Sequence, residues 1–256
     1  MSNREHDKIV NLSKLKAACE DCGMYGLCLP IGIHEKDMAR LEKIIKRKQP
    51  LKKGEHLFNQ GDAFHSLYAI KSGSVKIYSI ADDGSEQITG FLLPGELAGM
   101  DAINTGQHNS YAKALETTSF CEMPFAQLEE LAGQLPSLQH QLLRLMSKEI
   151  VKEGEMLMQL GKKTAEERLA SMLLSFSTRF KERGFSPTEF NLSMSRNDIG
   201  NYLGLVVETV SRLFTRFQEQ GLIYVKGKYI RLIDMQALGK LAGLNTADNN
   251  SNPKTA

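Results

Sequence analysis

No apolar run in the 256 residues approaches the ~20 needed to cross a bilayer as a helix, so no membrane span is expected. The first fifteen residues are charged throughout and hold no apolar segment ahead of a small-residue cleavage site. Export is therefore not expected, and the chain is placed in the cytoplasm. The usual marks of an enzyme are also missing: there is no nucleophile paired with a base, no glycine-rich phosphate loop and no second cofactor motif. Cysteine is scarce too, at four residues, but its distribution is informative. Three stand within ten residues, Cys19-Glu-Asp-Cys22-Gly-Met-Tyr-Gly-Leu-Cys28, and the fourth, Cys121, lies far downstream.

Thiolate is the ligand that iron-sulfur clusters and zinc select, and a Cys-x2-Cys step lets two sulfurs of one loop reach one centre. Gly23 and Gly26 allow tight folding, and Leu27, Leu29 and Pro30 supply an apolar cover. Two disulfides, unrelated thiols or a single structural zinc ion are the other options. A cytosolic setting argues against disulfides. Spacing alone does not separate iron-sulfur from zinc.

Composition is that of an ordinary globular protein, with 41% hydrophobic and 24% charged residues and length enough for two domains. Within an overall charge of +2, residues 162–233 carry twelve Lys and Arg against seven Asp and Glu, a net of +5. A polyanion is expected to bind there. Residues 1–50 read as a polar arm, the cysteine loop and a short amphipathic helix over 35–48 carrying Met38, Leu41, Ile44 and Ile45. From residue 51 the pattern turns to period two with glycine turns, which predicts an antiparallel β-roll over 51–133 whose last strand holds Cys121. Cys28 and Cys121 meet only if the cysteine loop folds back on that roll.

Residues 134–161 read as a long helix starting at Pro136 and broken at Gly161. Leu143, Met146, Ile150, Leu157 and Leu160 fall on a heptad seam suited to a second copy of the helix, and Glu153 fills the vacant position. Like charges facing across a two-fold axis are costly, so this seam predicts a marginal homodimer, the condition for a switch. The alternative is a helix packed on its own roll with Glu153 in solvent.

A capping box at Thr164 and Glu167 opens the C-terminal unit, residues 162–244, followed by a short strand over 188–192. Ser195 and Asp198 cap one short helix, Gly204 makes a turn, and residues 206–220 form a second helix. That is a helix-turn-helix. Val207, Val210, Leu213, Phe214 and Phe217 face inward, and Glu208, Ser211 and Arg212 share an outer face. Arg212 suits guanine, Glu208 suits cytosine and Ser211 suits either, so the trio reads as a base-reading face on double-stranded DNA. The other option is a solvated Glu208–Arg212 pair. A hairpin over 222–233 with Lys226-Gly-Lys228 at its turn completes a winged helix. Residues 235–244 read as a last helix and 245–256 as a disordered tail.

Together, Cys19-x2-Cys22-x5-Cys28 with distant Cys121, the glycine-punctuated roll, the long helix and Glu208-Thr-Val-Ser-Arg212 resemble the oxygen-responsive FNR branch of the cyclic-AMP receptor superfamily. The resemblance runs from about Cys19 to Leu244. It implies an α+β fold: an N-terminal antiparallel β-roll sensor domain, a dimerisation helix and a C-terminal winged helix-turn-helix. It further implies an oxygen-labile 4Fe-4S cluster on the four cysteines, converted to 2Fe-2S by oxygen with loss of the dimer. TTGAT-like half-sites read by Glu208, Ser211 and Arg212, contact with RNA polymerase through exposed roll loops, and control of genes of anaerobic metabolism by activation or repression follow from it as well. Nucleotide-binding members keep an arginine for the cyclic phosphate. Residues 100–112 hold none here, so no cyclic nucleotide is expected. A ligand-sensing regulator with a structural zinc and a cytosolic iron-sulfur redox protein are the competing functions.

Overall fold

The computed structural model of the chain describes Cys19 and residues 22–244. The arm and tail expected over 1–18 and 245–256 lie outside the described residues. Helix α1 (Glu35–Ile44) ends earlier than expected, because the chain becomes extended at Ile45 and enters strand β1 (Lys46–Arg47). The strands β2 (His56–Phe58), β3 (Ser66–Ser72), β4 (Val75–Ile80), β5 (Glu86–Leu92), β6 (Leu97–Ala98), β7 (Tyr111–Ala114) and β8 (Ser119–Pro124) follow. They build two antiparallel sheets, β1-β8-β3-β6 and β2-β7-β4-β5. Phe58, Ile70, Val75, Leu92, Ala112 and Phe120 fill the space between them.

Strand β3 is buried on both faces, which explains why its sequence lacks a clean alternation. Ile70 belongs to the roll interior, while Leu67 and Ala69 pack with Leu29, Met38 and Leu41 beneath the cysteine loop. Between roll and long helix lies an element that the sequence reading does not place, α2 (Phe125–Gln134), which buries Leu128, Leu131 and Ala132.

The long helix α3 (Pro136–Lys162) has proline in its first turn. It is not broken at Gly161 as expected. One glycine costs a helix only ~1 kcal/mol, and the stop comes at Lys163, which is extended. Helix α4 (Ala165–Glu182) carries the capping box: Thr164 N–H donates to Glu167 Oε2 at 2.7 Å and Glu167 N–H to Thr164 Oγ1 at 3.3 Å. Then come β9 (Glu189–Asn191), α5 (Arg196–Leu203), α6 (Val207–Glu219), β10 (Ile223–Lys226), β11 (Tyr229–Leu232) and α7 (Met235–Leu241). The last strands pair in the order β10-β11-β9, so the wing is a three-stranded sheet.

The C-terminal unit rests on the roll. Tyr78, Ile88 and Phe91 of the roll share one core with Leu173, Phe176 and Ile199. Lys76 on β4 pairs with Glu86 and reaches Asp198 at 3.1 Å, and Asn201 Oδ1 accepts from Ile88 N–H at 2.5 Å. No helix among the described residues is long and apolar enough to cross a membrane.

Candidate functional site

The cysteine loop is a run of tight turns. Cys22 N–H donates to Cys19 O at 3.0 Å, Tyr25 N–H to Cys22 O at 2.9 Å, and Cys28 N–H to Met24 O at 3.0 Å. Glu42 of α1 accepts from the Cys19 amide and ties the loop to that helix. Cys121 comes from β8, where its register partners are Arg47 on one side and Ala69 on the other. All four thiols are free and line one narrow cavity of about 40 Å³ together with Leu29, Pro30, Leu41 and Met123. The loop therefore does fold back on the roll.

The thiols there are hard to ionise without a compensating cation. Burial pushes Cys28 up to about 12 and Cys19 up to about 11, and neighbouring sulfurs add to both shifts. Burial also raises Cys121, while Arg47, through its charge and a hydrogen bond, pulls it back. Arg47 and Lys71, which lines the cavity, are functional candidates that spacing does not reveal. Register does reveal Arg47, since residues opposite each other across an antiparallel pair share a face.

Among the described residues no group of three or more His, Cys, Asp and Glu side chains is preassembled to hold one metal ion. The donor set is four thiolates around an apolar space, which both iron-sulfur clusters and zinc accept. Leu27 behaves differently from the cover expected of it. It is not part of the lining, and its Cβ lies 2.9 Å from where a Cβ on Gly95 would sit.

Along α3, Leu143, Met146, Ile150 and Leu157 are 59%, 40%, 68% and 72% exposed, and only Leu138 and Gln141 are buried. The first turns of the helix pack toward the roll through Leu138, Leu142 and Leu145, and the apolar stripe beyond them is exposed. Glu153 lies exposed on that stripe, while Leu160 is half-buried and leans toward Gly204 of the helix-turn-helix. Between α3 and the roll is a cavity of about 380 Å³ lined by Asp101, Glu149 and Glu153. Its lysine, Lys152, is paired with Glu149 at 3.1 Å.

In the C-terminal unit, Ser195 and Asp198 cap α5 as expected, with Asp198 N–H to Ser195 Oγ at 3.0 Å. Gly204 takes φ +64 and ends the helix. Gly200 is equally constrained and escaped the sequence reading. A Cβ there would stand 2.6 Å from Leu205 O, so the turn closes only over a bare residue. Val210, Leu213, Phe214 and Phe217 of α6 are buried, and Glu208, Ser211 and Arg212 are exposed on the opposite face. Arg212 reaches Thr209 Oγ1 at 3.4 Å rather than pairing with Glu208. Arg196, which lies over the Phe214 ring, adds a cation at the start of α5; burial lowers it to about 10.

This architecture matches known proteins closely. Residues 48–134 match the cyclic nucleotide-binding domain family, and residues 167–241 match the Crp-like helix-turn-helix domain family. The transcriptional activator protein Anr of Pseudomonas protegens is 55% identical over 228 residues, covering 89% of this chain and 93% of that protein. The chain belongs to the cyclic-AMP receptor/FNR family of transcription regulators. The fumarate and nitrate reduction regulatory protein of Escherichia coli is 53% identical over 225 residues, 88% of this chain and 90% of that protein. Among solved structures, FixK2 from Bradyrhizobium japonicum superposes with a TM-score of 0.71 at 31% identity, covering 77% of this chain and 97% of that one. As an FNR-type member of the family, the chain binds DNA through its Crp-like helix-turn-helix and acts in transcription.

Proposed function

We propose that this regulator senses oxygen through a 4Fe-4S cluster held by Cys19, Cys22, Cys28 and Cys121 in the cytoplasm. The observation that carries the reading is the convergence of all four thiols on one apolar cavity at the edge of the roll. When bound, the cluster would supply an oxygen-labile centre that passes from 4Fe-4S to 2Fe-2S. The chain's own part is mechanical. Leu29 and Pro30 keep water from the sulfurs, and the loop shares its core with Leu128, Leu131, Leu135 and Leu138 of α2 and the start of α3. A change in the loop is thereby felt at the base of the helix whose exposed stripe forms the homodimer.

In the dimer, two copies of α6 present Glu208, Ser211 and Arg212 to successive major grooves at TTGAT-like half-sites. Arg196 and the wing lysines Lys226 and Lys228 would serve the phosphates. Exposed loops of the roll would meet RNA polymerase, and genes of anaerobic metabolism are the expected targets. Cyclic nucleotide is not the signal in this reading. The cavity where α3 faces the roll offers carboxylates and one neutralised lysine, which repel a cyclic phosphate rather than hold it.

The test is anaerobic isolation with visible absorption and metal analysis. A straw-brown protein containing iron and sulfide that bleaches in air is expected. A colourless protein with stoichiometric zinc would refute the cluster and favour the structural-zinc alternative.

A further inference from the structure

Leu27 stands one residue before Cys28 and rests on the turn between β5 and β6. Gly95, at the centre of that turn, has φ +90 and lies directly under Leu27. A side chain at this position would meet both a strained backbone and the Leu27 Cβ. The turn is closed from within, Leu93 N–H donating to Glu96 Oε2 at 3.0 Å and Glu96 N–H to Leu93 O at 3.1 Å, and it is tied to β3 by Gly95 N–H donating to Ile70 O at 2.7 Å.

The same turn is gripped from the other side by the DNA-binding unit. Arg179 of α4 donates through Nε to Glu96 Oε1 at 3.0 Å and through Nη2 to Glu96 Oε2 at 2.6 Å. Its Nη2 also reaches Phe91 O at 2.6 Å. Arg183, just past the end of α4 and almost fully buried, donates from Nη2 to Glu96 Oε1 at 2.6 Å and from Nε to Pro94 O at 2.7 Å. Two arginine forks thus close on one carboxylate and two carbonyls. Such buried, charged contacts are strong only while their geometry holds, because each group left unpaired retains its desolvation cost. A small displacement of the turn is therefore transmitted to α4 rather than absorbed.

We infer that the turn at residues 93–96 couples the cysteine loop to the DNA-binding domain within a single protomer, with Leu27 seated on Gly95 as input and Glu96 between Arg179 and Arg183 as output. No hydrogen bond of this route comes from the dimer helix, although the charge of Lys152 on that helix reaches Glu96. It rests on the proposed metal site only for what unseats the loop; the coupling between loop, turn and α4 stands on contacts within one chain.

Amide hydrogen exchange on the full-length, metal-loaded protein under nitrogen tests it. In Leu27→Gly, which removes the Cβ that rests on Gly95, exchange at residues 93–96 and 179–184 should quicken roughly tenfold while exchange along α3 stays at its wild-type rate. In Glu96→Gln, exchange should quicken at 179–184 and, by reciprocity, at the loop residues 24–29. Unchanged exchange at 179–184 in Leu27→Gly, or at 24–29 in Glu96→Gln, overturns the inference. If Glu96→Gln does not fold, Arg179→Lys, which keeps the charge and loses the fork, serves in its place with the same expected pattern. Metal content measured on the same samples keeps the two ideas apart. Wild-type protein that binds no metal refutes the metal site, and the exchange pattern of the variants still decides the coupling.

Discussion

Ile150→Ala should weaken the dimer strongly, and the size of the effect follows from the single protomer. Ile150 is 68% exposed there. Full burial of such a side chain stabilises by ~1.5 to 3 kcal/mol, so about two-thirds of that, ~1 to 2 kcal/mol, remains to be gained on association. A two-fold dimer makes the change twice, giving a loss of roughly 2 to 4 kcal/mol, or roughly 30- to 700-fold in the dissociation constant. Anaerobic sedimentation velocity of the metal-loaded protein over a concentration series measures this directly. Val151→Ala is the control, since Val151 is 57% exposed but sits beside the seam rather than on it. Its dissociation constant should move by less than about threefold. Equal effects of the two substitutions, with helical content unchanged, would show that the exposed stripe is not the association surface.

Removing the charge at the seam should act in the opposite direction. Glu153→Ala is expected to remain a dimer in air, and sedimentation showing an aerobic monomer would count against a threshold set by that carboxylate. Arg212→Ala should lose roughly 1 to 3 kcal/mol of discrimination between specific and random DNA while non-specific binding persists; equal losses on both would argue against base reading. Glu96 gives a pH signature. Burial raises its carboxyl, but Arg179, with Lys152 of α3 and Arg183 adding to it, overcomes that and holds it at about 2, against 4.5 for an ordinary glutamate. A depressed carboxylate stabilises fully above its unfolded value and loses that contribution as pH falls toward its folded one. Wild type should thus exceed Glu96→Gln by roughly 2 to 3 kcal/mol near pH 6, with the gap closing between about pH 5 and pH 2 in thermal melts. A gap independent of pH would mean that the clamp is not ionic.

What could be read from the chain and what could not divides by sequence distance. The capping boxes at Thr164 and Ser195, the Gly204 turn and the Lys226–Lys228 hairpin are set by residues three or four apart, and they stand where expected. Helix α2 is legible as well, with Phe125, Leu128, Leu131 and Ala132 at helical spacing, but the period-two pattern that runs into it masks the change of period. Gly161 misled because a single glycine near a helix end is tolerated. The contacts of Lys76 with Asp198 and of Glu96 with Arg179 join elements far apart in the chain, and no local pattern marks either. The four cysteines lie between these cases. Their residue type and spacing announced a site, yet only the fold shows Arg47 opposite Cys121 and Leu27 turned away from the cavity.

That last point bears on the proposed control of the regulator by one small loop. The loop meets two separate bodies: its Leu29 packs in the core that also holds Leu135 and Leu138 at the root of α3, and its Leu27 rests on Gly95 above the arginine clamp. A signal shifts an equilibrium only by the difference in its interaction with the two states, and a change from mostly active to mostly inactive requires ~5.5 kcal/mol. Neither contact need supply all of it. The seam can be made weak by Glu153, and the clamp made dependent on the exact seat of a side chain, so that loss of the loop's order subtracts from both at once. Dimer affinity and domain orientation would then change together. If instead only the root of α3 responds, protein held as a dimer by Glu153→Ala should show the same exchange at residues 179–184 with and without metal. If the clamp responds too, that exchange should still quicken when the metal is removed.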